Sequence, residues 1–125
     1  MAGGEIVIVA GLGCRKDCPA DEIVALVREA EARAGCRVGE LAAPAFKREE
    51  AGLRGAAALL ALPLTLVGNT ALADAQPRCV TRSEAEMRAT GLASVAEAAA
   101  IAASGGPLLL PRISARRATC AVAGR

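Results

Sequence analysis

Apolar residues recur along this chain in two periods, one continuous and β-branched and the other helical, and their alternation sets the first expectation of fold. Ile6 to Ala10 is an unbroken apolar run, as in a strand covered on both faces. Pro19 suits the first position of a helix, and Ile23, Leu26, Val27, Ala30 and Ala34 then follow the i, i+3, i+4, i+7 spacing until Gly35 ends it. A weak strand is expected over Val38 to Ala43. A helix from about Phe46 to Ala61 should follow, with Leu53, Ala56, Ala57 and Leu60 on its inner face. Pro63 breaks that pattern, Leu64 to Val67 reads as a strand, Thr70 to Ala75 as a short helical stretch and Arg78 to Thr81 as an edge strand. Ser94 opens the clearest helix: "SVAE" is a capping box in which the serine caps a free amide and Glu97 reaches back to another. Gly105, Gly106 and Pro107 stop it. Leu108 to Ile113 and Arg117 to Ala123 then form an antiparallel hairpin around a polar turn. Strands alternating with helices predict an α/β chain, a three-layer α/β/α sandwich with a mostly parallel sheet and a C-terminal antiparallel hairpin.

At 125 residues the chain is the size of one domain, and it needs neither metal nor disulfide to bury a core. The cysteines at 14, 18, 36, 79 and 120 are odd in number and irregularly spaced, and nothing at the N-terminus resembles a secretory signal, so free thiols in a cytoplasm are expected. The apolar run at Ile6 is too short to span a bilayer. Net charge is +2, yet Arg112, Arg116, Arg117 and Arg125 stand without an acid from Gly105 onward, which leaves residues 1–104 at −2 and makes the C-terminal end a candidate anion site. With no Trp or Tyr and a single Phe, the chain lacks stacking platforms for single-stranded nucleic acid.

In a parallel α/β sheet, helices begin at the carboxyl edge of the strands, where ligands bind. Three helix starts should gather there: the Gly11–Asp17 turn, the segment around Lys47, and the turn at Thr90 to Ser94. A glycine-rich turn entering a helix offers amide hydrogens to a carboxylate or phosphate, and Arg15 and Lys16 add charge. A tight connection with no ligand accounts for the same turn equally well. Against a dinucleotide, G-x-G-x-x-G fails at Lys16, and the Walker spacing fails as well. Cys14 and Cys18 form C-x-x-x-C with no histidine in the chain, so no metal or other cofactor is expected. Small buried thiols are the ordinary reading, and a reactive Cys14 near a helix N-terminus and two cations the other. Lys47 and Glu50 would ordinarily be a solvated helix pair. However, the chain uses arginine thirteen times and lysine twice, which points to a use for the compact ammonium at Lys47.

Five segments in order, "GLGCRK", "KREEAGL" (K-x-x-E-x-G-L at Lys47, Glu50, Gly52 and Leu53), "LPL", "TGLASVAEAAAIAASG" and "TCAVA", together resemble the CobE and CbiG C-terminal domain family of cobalamin biosynthesis, most closely the stand-alone CobE form. The resemblance implies a role in building the corrin ring, with a precorrin or hydrogenobyrinic-acid-like tetrapyrrole as ligand and other corrin-pathway enzymes as partners. Its ligand residues would be Gly11, Gly13, Cys14, Arg15, Lys47, Glu50, Gly91, Ser94, Glu97 and Arg112. If the domain acts on the ligand, Lys47, Glu50 and Glu97 are the candidates for acid or base. Holding and handing on the intermediate is the competing reading. A scaffold for the pathway's methyltransferases is a third, and it predicts a flat apolar patch where the first two predict a cleft.

Overall fold

A computed structural model describes residues 7–125. Strand β1 (Ile8–Cys14) lies at the centre of a sheet that also holds β2 (Glu40–Pro44), β3 (Leu64–Val67), β4 (Leu108–Ser114) and β5 (Ala118–Gly124), in the order β3-β2-β1-β5-β4. Pairing is parallel for β1 with β2 and for β2 with β3, and antiparallel for β5 with both β1 and β4. Four strands therefore point one way and β5 returns between them. Helices α1 (Ala20–Ala34) and α2 (Ala51–Leu60) cover one face, packing Ile23, Leu26, Val27, Leu53 and Ala56 onto Leu12, Leu41 and Val122. Helices α3 (Asn69–Ala75) and α5 (Val95–Ser104) cover the other, where Leu72 and Ile101 meet Val9 and Val67. A short helix, α4 (Glu84–Thr90), buries none of its own residues. This is the expected sandwich with its C-terminal hairpin, and no helix among the described residues is long and apolar enough to cross a membrane.

The first strand is longer than expected at its C-terminal end. Ile6 lies outside the described residues, and the strand runs on through both glycines to Cys14, so the connection to α1 is only Arg15 to Pro19. The extension has a cause: β1 stays paired with β5 up to Cys14 opposite Ala118, and Arg15 N donates to Arg117 O at 2.8 Å. Gly11 serves this packing and not an amide cradle. A Cβ there would stand 2.0 Å from the Ala96 carbonyl oxygen and 2.5 Å from Ala100 N. Its absence lets α5 lie directly on β1, and the alanines of α5 serve the same close approach. Eight of the helix's ten residues are buried, as a helix apolar on every side must be.

Three other expectations are corrected. The helix predicted from Phe46 is divided: Ala45–Lys47 is a single 3₁₀ turn, and α2 starts at Ala51 behind an extended Glu50. Its start is fixed where Gly52 passes so close to the Cys18 backbone that a Cβ would lie 2.1 Å from its carbonyl oxygen. Lys47 and Glu50 are therefore not a pair on one helix. Arg78 to Thr81 is not an edge strand, because its amides turn to a side chain: Val80 N and Thr81 N both donate to Glu97 Oε1, at 2.8 and 2.9 Å. The capping box at Ser94 is half formed. Ser94 Oγ accepts from Glu97 N at 3.4 Å, while the Glu97 carboxylate points away from the cap. A second serine cap, unforeseen, starts α4, where Ser83 Oγ accepts from Glu86 N at 3.2 Å.

Candidate functional site

A cleft of about 500 Å³ opens at the carboxyl edge of the sheet, where β1, β2 and β4 end and β5 begins. Gly13, Cys14 and Arg15 run from β1 into it, Phe46 and Lys47 reach it from the turn after β2, and Arg112, Arg116 and Arg117 enter from the C-terminal hairpin. Val95, the residue after Ser94, forms part of its wall, and α4 flanks it through Glu86 and Thr90. The glycine at position 13 keeps the floor open, since a Cβ there would lie 2.7 Å from Thr119 Oγ1.

Charge in the cleft is strongly one-sided. Among the described residues, five cations line it against one carboxylate, Glu86. Two of the cations are anchored: Arg112 Nη1 is paired with Glu86 Oε2, and Arg117 Nε donates to Glu22 Oε1 on α1 at 3.0 Å. Arg15, Lys47 and Arg116 form no ion pair among the described residues. Glu86 has a second task, since its Oε1 accepts from Val95 N at 3.1 Å and so caps α5 alongside Ser94. One exposed apolar surface stands among these charges. It is the ring of Phe46, the chain's single aromatic residue, 41% exposed.

The residues proposed from sequence divide between the cleft and the frame behind it. Gly13, Cys14, Arg15, Lys47 and Arg112 line the cleft. Gly11 is buried mid-strand under α5, and Ser94 is fully buried at its cap. Gly91 closes α4 in the left-handed conformation at φ 77°, a position that favours glycine without any ligand. Glu50 accepts from Asp17 N at 2.8 Å, joining the start of α2 to the β1–α1 connection, while Lys16 is exposed outside the cleft lining.

Glu97 is fully buried and occupied on both oxygens. Besides the two amides on Oε1, its Oε2 accepts from Thr81 Oγ1 at 2.6 Å and from Arg112 N at 2.9 Å. Burial alone would raise its pKa, but the hydrogen bonds from Thr81, Arg112 and Val80 together outweigh it and hold the carboxyl below its ordinary value. Glu97 thus fixes the backbone of Arg112, and it acts on the cleft only through that residue.

The thiols differ from a reactive set. All five cysteines are free. Burial pushes Cys14 up to about 11, with Lys47 pulling it down by less and Glu50 and Cys18 adding to the rise. The cation that acts on Cys14 is Lys47 and not the adjacent Arg15 and Lys16, and desolvation wins over it.

Arg116 and Arg117 are cleft residues that motif reading passed over. Their signal was present in the run from Gly105 to Arg125 with four arginines and no acid. Phe46 and Glu86 carried no comparable mark.

The family model described as the cobalamin synthesis G C-terminus matches residues 8–123 of this chain. Protein CobE of Sinorhizobium sp. is 34% identical over 122 residues, spanning 94% of this chain and 79% of that protein. The crystal structure of CobE, a protein from the cobalamin (vitamin B12) biosynthetic pathway, superposes with a TM-score of 0.89 at 36% identity, covering 96% of this chain and 91% of the other. The cobalamin biosynthesis protein chiG from Agrobacterium tumefaciens str. C58 superposes with a TM-score of 0.75 at 38% identity, over 94% and 97% of the two chains. The chain that builds this basic cleft therefore belongs to the cobalamin synthesis G C-terminal family and is a cobalamin biosynthesis protein.

Proposed function

We propose that the cleft binds a carboxylate-rich tetrapyrrole of corrin-ring assembly, a precorrin or hydrogenobyrinic-acid-like intermediate, and holds it for transfer to the next enzyme. The observation that carries the reading is the cleft's charge: Arg15, Lys47, Arg112, Arg116 and Arg117 face a space in which Glu86 is the one carboxylate among the described residues. Such a macrocycle is a largely apolar ring system, with four nitrogens at its centre, rimmed with acetate and propionate groups. Guanidinium forks and an ammonium complement the rim, and the exposed Phe46 ring offers an apolar surface to the body. The family supplies the pathway in which such a ligand occurs.

Holding is favoured over transformation by the state of the groups that could move a proton. Glu97 is sealed behind the wall by four hydrogen bonds, Glu50 is bound to the Asp17 amide, and the Cys14 thiol is neutral at physiological pH. General acid or base chemistry needs a group within reach of the ligand and close to neutrality. Lys47 is the one of the three proposed candidates that lines the cleft, and its ammonium serves there as a carboxylate donor.

Absorbance titration of the protein with hydrogenobyrinic acid at low and high salt tests the reading. Saturable one-to-one binding that weakens as salt rises is expected, because part of the attraction acts between partly exposed charges. No saturable binding at micromolar protein would overturn it.

A further inference from the structure

Beside the main cleft lies a second hollow of about 260 Å³, formed where the first turn of α2 faces the edge strand β3. Leu53, Leu64 and Leu66 make its floor, and Lys47, Arg48 and Arg54 its rim. Lys47 lines both spaces. No carboxylate lines this hollow among the described residues, and neither Arg48 nor Arg54 forms an ion pair among them, whereas Arg28, Arg33, Arg112 and Arg117 all do. The two arginines are nevertheless held in place. Arg48 Nη1 donates to Ala45 O at 3.0 Å, and Arg54 Nη1 donates to the Arg48 carbonyl, so each guanidinium spends one donor on the turn that carries Lys47. A guanidinium has five donors, and four remain on each.

Three cations over an apolar floor, two of them held by the turn and with no acid beside them among the described residues, make a receptor for a carboxylate on a short hydrocarbon arm. We propose that this hollow is a second subsite, taking a peripheral carboxylate of the same ligand that fills the main cleft, with Lys47 as the donor shared between them. The inference rests on the reading of the main cleft as a tetrapyrrole site. It gives Lys47 a specific position: the ammonium stands where the rim of the macrocycle crosses from one space to the other. It also explains why a lysine serves there, since a compact ammonium presents donors to both sides while a planar fork commits to one.

Methyl-resolved NMR of the protein tests this, with Val95 reporting the cleft and Leu64 and Leu66 the hollow. With hydrogenobyrinic acid as probe, all three methyl sets are expected to shift along one saturation curve. Propionate alone, at the same concentrations, should leave the leucines unmoved. The double substitution Arg48→Gln, Arg54→Gln should weaken tetrapyrrole binding about three- to tenfold, between the worth of an exposed ion pair and that of a charged hydrogen bond. Movement of Val95 with Leu64 and Leu66 still would overturn the subsite and leave the cleft reading standing. In that case any loss in the double variant would reflect only its support of the Lys47 turn. Leucine shifts with propionate but not with the tetrapyrrole would make the hollow a free-anion site and overturn the shared ligand. No shift at any of the three would overturn both readings.

Discussion

Removing the charge of Glu97 while keeping its shape tests how the cleft is held open. The carboxylate is fully buried and accepts four hydrogen bonds, two on each oxygen, from Val80 N, Thr81 N, Thr81 Oγ1 and Arg112 N. In Glu97→Gln the better amide orientation keeps its oxygen toward Val80 and Thr81. The Thr81 hydroxyl can rotate to accept, but the new NH₂ group then faces the Arg112 amide, donor to donor. One buried N–H without a partner costs about 1–3 kcal/mol, and the bonds that remain weaken as the acceptor loses its charge. Relief from burying a charge offsets part of this. A net destabilisation of about 2–4 kcal/mol is expected, and Glu97→Ala, which opens three backbone amides, should cost about 3–5 kcal/mol. Urea unfolding measures it, as a lower midpoint at unchanged slope. The pH dependence carries a sign. Because the folded pKa lies below the ordinary 4.5, the carboxylate's contribution is complete above that value and is lost as pH falls through the folded pKa. The gap between wild type and Glu97→Gln should therefore be full at pH 7 and narrow below about 4.5. A Glu97→Gln protein within about 0.5 kcal/mol of wild type at pH 7 would mean that the carboxylate does not hold these segments, since surface substitutions fall within about that range.

Gly11→Ala should lower stability by about 3 kcal/mol in thermal or urea unfolding, because the added Cβ meets the α5 backbone at 2.0 Å and cannot be relieved by a side-chain rotation. Cys14, at about 11, should alkylate with iodoacetamide at pH 7.5 roughly a hundredfold more slowly than in the urea-unfolded chain, as read by peptide mass spectrometry; equal rates would contradict the assigned burial. Lys47→Ala should weaken hydrogenobyrinic acid binding about ten- to a hundredfold, with Lys47→Arg in between and Arg28→Ala unchanged, and equal affinities for wild type and Lys47→Ala would remove Lys47 from the site.

Elements whose fate is set by their own residues were legible in the chain. The α1 stripe from Ile23 to Ala34, its stop at Gly35, strand Leu64–Val67 and the terminal hairpin all follow from period and punctuation. The misreadings arose where a distant partner decides. β1 continues past Gly11 because β5, more than a hundred residues later, pairs with it, and of the glycines that suggested a turn Gly11 answers to the passage of α5 and Gly13 to Thr119 on β5. Glu97 matched a capping box locally, yet its carboxylate is taken by the amides of Val80, Thr81 and Arg112, which lie 15 to 17 residues away along the chain. The basic side of the cleft was visible as the arginine-rich C-terminal end. Its shape was not, since it is made by strands meeting at one sheet edge, and no single segment carries that information.

A structure of the protein with hydrogenobyrinic acid bound would locate the ligand itself. The macrocycle is expected in the cleft at the carboxyl edge, with carboxylates on Arg15, Lys47 and Arg112 and one face of the ring against Phe46. A macrocycle seated elsewhere, on the outer surface of α1 and α2 for instance, with the cleft cations still in water, would contradict it.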